Sequence, residues 1–172
     1  RLSTGSRIVG GMSAPQQELL WTDLGLWSMS YLGSLAAGVW GFNQIGWSCG
    51  LIGKHAATRL GASVFWMSGA NFYALLGSGA PQVIPCTVWD FVFQNLNETY
   101  QHKCWAWANT PFNEVWFFFP RESTSATECD ASVIFNVAEG VWYYNEDPSI
   151  NRSAGIDQSI IGMPIATTPG GL

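Results

Sequence analysis

The chain has 172 residues, of which 48% are hydrophobic, 15% aromatic and 11% charged, with a net charge of −5. That much apolar surface excludes disorder, and the length supports one domain with a real core. The basic residues are scattered singly, which disfavours a nucleic-acid grip through phosphate neutralisation. The longest weakly polar run, "YLGSLAAGVWGF" (Tyr31 to Phe42), falls short of the roughly 20 residues of a spanning helix, so no membrane span is expected. The first residues, "RLSTGSRIVGG", carry no apolar signal-peptide core. So few charges beside ten Trp predict a surface covered by neighbours in an assembly.

In chain order, "RIVGGMSAP" (Arg7 to Pro15) looks like the activation site of a trypsin-type protease. Such an enzyme needs a His base, a Ser nucleophile and oxyanion donors. His55 lies in "GKHAATR", the wrong context, and no "GDSGG" occurs; the nearest echo, "GIDQS", lacks the glycines. The protease is rejected. Ile8 and Val9 then end an apolar strand, Gly10-Gly11 form a turn or bulge, and "APQQ" is a linker.

Three segments share a hairpin design: Leu19 to Tyr31, Ser63 to Leu76 and Ser132 to Asn145. Each has a strand ending in an aromatic (Trp21, Trp66, Phe135). A polar turn follows, with Gly25, Gly69 or Gly140 as the turn glycine, and an aromatic opens the return strand (Trp27, Phe72, Trp142). Glycine accepts the positive φ of tight turns, and the aromatics are expected opposite each other on paired strands. Trp21 to Trp66 and Trp27 to Phe72 are both 45 residues apart, whereas Trp66 to Phe135 is 69, which implies an insertion. Within it, Val88, Phe91, Val92 and Leu96 have helical spacing, predicting a short helix near 88–97 with Thr87 as N-cap and Asp90 in its first turn. A strand pair around "NTPFN" follows (Lys103 to Pro120), and then "RESTSATECD", read as an exposed loop.

No catalytic residue, cofactor or metal site is predicted. Cys49, Cys86, Cys104 and Cys129 lie far apart, and their spacing does not choose a pairing. His102 and Cys104 would share a face on a strand and could reach a metal; buried free thiols beside a surface His are the better reading. Glu128 and Asp130 look like a solvated turn. The sequons at Asn97 and Asn151 matter only in a eukaryotic secretory setting. The repeat predicts an all-β fold of antiparallel propeller-like blades, about three in this chain. Residues 1–172 then form a single propeller-like domain or a fragment of a larger propeller. An antiparallel sandwich is the competing architecture.

The runs "STGSRIVGGMSAPQQELLWTDLGLWSMSYLG" and "CGLIGKHAATRLGASVFWMSGANFYALLGSGAPQVIPCTVWDFVFQNLN" resemble tail-hub, or packaged-DNA stabilisation, proteins of short-tailed bacteriophages. The resemblance continues through "NEVWFFFP", "SVIFNVAEGVWYY", "RSAGIDQS" and "GMPIAT". It departs at Gly155, where the family usually has an aromatic, and in the longer turn "NEDPSI". The resemblance implies a non-enzymatic virion protein, assembled in the bacterial cytoplasm and located in the tail. It implies a homo-oligomer that closes the portal channel, retains packaged DNA without sequence-specific binding, and passes it during ejection. Its implied partners are the portal adaptor, a tail needle or fibre, and other hub copies. Members are longer than this chain. The acidic balance would keep DNA from sticking to a channel wall; Arg59, Lys103 and Arg121 lining the channel would oppose that. From another class, a carbohydrate-binding β module would display two or three aromatics on one exposed face. An enzyme on a propeller scaffold lacks any convergent acid–base set.

Overall fold

The computed structural model describes residues 3, 5–15, 17–34, 38–77, 79–146, 152–157, 162 and 164–168. The fold is all-β. Strands β1 (Ile8–Ala14), β2 (Gln17–Thr22), β3 (Gly25–Ser34) and β4 (Gly38–Trp47) form sheet I. Strands β5 (Ala57–Leu60), β6 (Ser63–Met67), β7 (Phe72–Leu76) and β8 (Gln82–Ile84) form sheet II. Sheet III comprises β9 (Trp105–Asn109), β10 (Glu114–Phe119), β11 (Ala131–Asn136) and β12 (Val141–Asn145). Each is an antiparallel meander in which every strand pairs with its sequence neighbour. A two-stranded ribbon follows, β13 (Ala154–Ile156) and β14 (Ile165–Thr167).

Strand alternation explains how the sheets stack. Along β6, Val64 and Trp66 point one way while Phe65 and Met67 point the other, and all four are buried. Trp66 meets Trp21 of sheet I edge to face, with ring centroids 5.5 Å apart. On the opposite face, Phe72 lies 4.7 Å from both Phe117 and Trp142 of sheet III, and Phe65 lies 6.4 Å from Phe135. Sheet II is therefore apolar on both faces, which is why "VFWM" and "FYAL" read as unbroken hydrophobic runs. Each large side chain buried this way stabilises the fold by about 1.5–3 kcal/mol. Sheet III turns its other face, with Trp105 and Phe118 stacked at 4.2 Å, towards β13. A Cβ at Gly155 would lie 3.2 Å from the Trp105 ring, so the glycine lets β13 lie close against this face.

The first strands begin at residues 8, 57, 105 and 154, so the repeat is 49, 48 and 49 residues. This replaces the 45-and-69 pattern. The first two hairpins join second and third strands (β2–β3, β6–β7), whereas the third joins third and fourth (β11–β12). The apparent insertion is largely this change of phase.

Register also corrects the aromatic pairing. Trp21 pairs with Leu26 and Trp27 with Leu20, so Trp21 and Trp27 point to opposite faces. Trp66 pairs with Tyr73 and Phe72 with Met67. Only Phe135 and Trp142 face each other as expected, with ring centroids 4.8 Å apart. A slip of one residue moves a side chain to the other face, and loop length sets that slip.

The turn glycines differ in role. Gly140 has φ +70°, the left-handed conformation expected of a turn. Gly25 is instead held by close approach, since a Cβ there would lie 2.8 Å from the Gly46 carbonyl oxygen. Gly69 shows neither constraint, and a Cβ would meet nothing within 4 Å. Gly10 and Gly11 lie inside β1, beside a bulge between Ile8 and Gly10, and the turn comes later at the Ala14–Gln17 link.

Between sheets II and III stands α1, which is only Trp89–Phe93, with Val88 rather than Thr87 at its N-cap position. It stops short of residue 97 because the next backbone groups pair elsewhere. Leu96 bridges to Arg121, the Asn97 N–H donates to the Pro120 carbonyl at 2.9 Å, and the Asn95 carbonyl accepts from Glu122 N–H at 2.7 Å. Among the described residues no helix is long and apolar enough to cross a membrane.

Candidate functional site

The hairpin aromatics singled out in the sequence are packing residues. Trp21, Trp66 and Phe72 are fully buried, Trp27 and Trp142 nearly so, and Phe135 is half-buried. Function must be sought in what these sheets leave uncovered.

The first such place is the face of sheet I turned away from sheet II. Alternation puts Leu19, Trp21 and Leu26 in the core, and Leu20, Trp27 and Met29 on the outer face. The pairings Met29–Phe42 and Tyr31–Trp40 extend that face along β3 and β4. Tyr31, Trp40 and Phe42 are 68%, 50% and 48% exposed, and Tyr31 and Trp40 meet edge to face at 5.4 Å. Beyond Met29, β3 has lost β2 as a partner, so the end of the β3–β4 hairpin projects as a two-stranded ribbon. No Asp, Glu, Lys or Arg occurs from Leu24 to Gly53. Long uncharged edges are places where β proteins pair with other chains.

The second lies among the first strands of the sheets. A cavity of about 280 Å³ lies where the chain enters the first strands of the sheets and of the ribbon. Met12, Trp21, Lys54, His55, Trp105 and Ala154 are among its walls. Sheets II and III meet here through a parallel bridge between His55 and Trp105 and a hydrogen bond from Ala106 N–H to the His55 carbonyl at 2.9 Å. A neighbouring cavity of about 390 Å³ is polar, with Arg7, Asp23, Glu98 and His102 on its rim. Asp23 accepts from Ser6 N–H at 2.7 Å and Ser6 Oγ at 2.5 Å, and these bonds hold its carboxyl below the ordinary 3.8.

The third is a cavity of about 270 Å³ on the far face of sheet III, walled by Trp107, Trp116 and Phe118 with Asn145 and Arg152.

The loop "RESTSATECD" is not simply exposed, because its ends are tied inside the protein. Arg121 and Asp130 are both buried, with Arg121 Nε donating to Asp130 Oδ2 at 3.1 Å and Arg121 N–H to Oδ1 at 2.9 Å. Arg121 Nη1 also donates to Glu146 Oε2 at 3.2 Å. Glu128 pairs with Lys103. Arg121 and Lys103 are thus held by carboxylates, while Arg59 is exposed.

His102 and Cys104 do not share a strand face. His102 sits in a 3-10 turn (Gln101–Lys103) and is exposed, whereas Cys104 is buried after it. All four cysteines are free thiols. Burial pushes Cys49 and Cys86 up to about 11 and Cys129 up to about 12. Among the described residues no group of three or more His, Cys, Asp or Glu gathers as a metal site. Asn97 is buried, its side chain donating to the Ala126 carbonyl at 3.2 Å, and Asn151 lies outside the described residues.

No protein-family model matches the chain, and no curated protein matches it significantly. The outer face of sheet I carried a sequence signal, the uncharged run from Leu24 to Gly53. The cavity among the first strands carried none, since its walls come from segments about 49 residues apart.

Proposed function

We propose that this chain is a structural protein that works by assembly, a propeller-like part of a phage tail hub. The observation that carries this reading is the exposed aromatic end of sheet I, where Tyr31, Trp40 and Phe42 stand on a face whose charged residue, Glu18, lies on β2. Sheets II and III bury aromatic faces against neighbouring sheets, whereas sheet I offers Tyr31, Trp40 and Phe42, at the β3–β4 end of its outer face, to solvent. Three exposed rings and their aliphatic neighbours present a few hundred Å², the scale of a functional patch. In this reading each four-stranded meander is a blade, and the outer face of sheet I receives a second copy. Tail parts such as a portal adaptor and a needle or fibre would dock elsewhere on the assembly. The family resemblance supplies the remainder of the proposal, which is closure of a portal channel and controlled release of packaged DNA.

The cavity among the first strands bears on how DNA would pass. About 280 Å³ is roughly nine water volumes, far too little for a duplex. Any conduit would therefore run between copies rather than between the sheets of one chain.

The test is solution mass by light scattering, for the native chain and for Trp40→Asp. The native chain is expected to be oligomeric, and Trp40→Asp to shift it towards monomer without loss of folded signal. A native chain that stays monomeric at tens of micromolar would overturn the assembly reading.

The aromatic cavity on sheet III favours a second reading, sugar binding, because Trp107, Trp116 and Phe118 lie beside the polar Asn145 and Arg152. Micromolar binding on a glycan array that is lost in Trp116→Ala would support it.

A further inference from the structure

We infer that the cavity among the first strands is a binding site for a carboxylate carried on a short apolar stem, an inference that stands on the cavity and not on the hub reading. Trp21 is 0% exposed and forms part of the cavity wall, yet its Nε1 is buried without a hydrogen-bond partner. Trp66, Trp105 and Trp142 by contrast donate to the carbonyls of Cys49, Arg152 and Pro85 at 2.9, 2.8 and 2.8 Å; the indole N–H groups of Trp27 and Trp107 are also unpartnered, but of the three only Trp21 lines this cavity. A buried N–H with no acceptor is costly, and an incoming acceptor relieves it.

Lys54 is the second element. It lines the same cavity and makes no ion pair among the described residues, whereas Lys103 and Arg121 both do. The third is what the walls lack and what they are made of. No Asp or Glu lines the cavity, and Met12, Trp105 and Ala154 make much of it apolar. Lys54, the orphan indole donor and partly apolar walls, with His55 and Ser153 as further polar neighbours, suit a singly charged acceptor with a hydrocarbon tail. A phosphate dianion would bring more charge than Lys54 can balance. The volume, about 280 Å³, suits a stem of a few carbons.

The experiment follows the indole N–H resonances of the full chain by NMR while butyrate, inorganic phosphate or chloride is added. Trp21 is assigned by through-bond connectivity, so the assignment does not depend on a Trp21 variant that folds. Butyrate is expected to move the Trp21 resonance saturably at millimolar concentration, with phosphate and chloride weaker. Lys54→Gln, a change at an exposed side chain, is expected to weaken butyrate by about five-fold. A Trp21 resonance that ignores butyrate would show that the cavity holds only water. An equal response in Lys54→Gln, or equal binding of phosphate, would also overturn the assignment.

Discussion

Replacing Arg121 by Ala tests whether the loop after β10 is held by its buried ion pair. The side chains of Arg121 and Asp130 are 9% and 8% exposed. With the guanidinium gone, Asp130 keeps only the residue-121 backbone N–H and the Thr124 hydroxyl, at 2.9 and 2.7 Å. Stranding a buried carboxylate in this way costs about 3–5 kcal/mol. The lost bond to Glu146 adds less than about 1 kcal/mol, because Glu146 is 52% exposed and its charge is screened by water. For a chain of this length each kcal/mol lowers Tm by about 2–4 °C, so a drop of roughly 10 °C is expected. Urea unfolding followed by tryptophan fluorescence gives the free energy, and the double variant Arg121→Ala/Asp130→Ala completes the cycle. The double variant should recover part of the loss, because it no longer buries an unpaired charge. A loss below about 1 kcal/mol, or a double variant no more stable than Arg121→Ala, would refute the reasoning.

Gly50 and Gly69 make a contrasting pair. A Cβ at Gly50 would sit 2.1 Å from the Asp23 carbonyl oxygen, so Gly50→Ala should cost about 1–3 kcal/mol or more in urea unfolding, while Gly69→Ala should stay within about 0.5. Asp23 should give an acid-sensitive contribution. Its folded carboxyl lies below the ordinary 3.8, so its stabilisation is present above that value and is lost as pH falls through the folded one. In Asp23→Asn, thermal melts across that window should lose this component of the pH dependence. The thiols should resist alkylation in the native chain at pH 8. Thiols at about 11 are roughly one part in a thousand thiolate there, and all four should react readily once urea exposes them.

The fold class was legible because aromatic runs broken by Gly and Asn leave little choice but hairpins. "NTPFN" does form the link between β9 and β10, with Asn113 left-handed at φ 55°. Register was not legible, since one loop residue decides whether Trp27 faces Trp21 or points away from it. The true repeat hid for a related reason. Phe135 lies on a third strand and Trp66 on a second, and nothing local distinguishes them. Long-range polar pairs were equally hidden. Arg121 and Asp130 look like loop charges until the chain between them folds back, and α1 looks longer until residues 95–97 pair with 120–122.

Sheet II lies between two neighbours, while sheet I has a sheet on one side only. A stack of this kind behaves as a one-dimensional array, in which a unit's resistance grows with the number of neighbours it touches. Pulled by its ends in an optical trap, the chain should shed sheet I first. Sheet I spans residues 8–47 and would release about 140 Å of extended chain, whereas sheet III (105–145), flanked by sheet II and by the β13–β14 ribbon, would hold longer. Sheet II spans 57–84 and would likewise give way after sheet I, with a shorter step of about 100 Å. The order of step lengths along the force trace thus reports which layer keeps two neighbours longest.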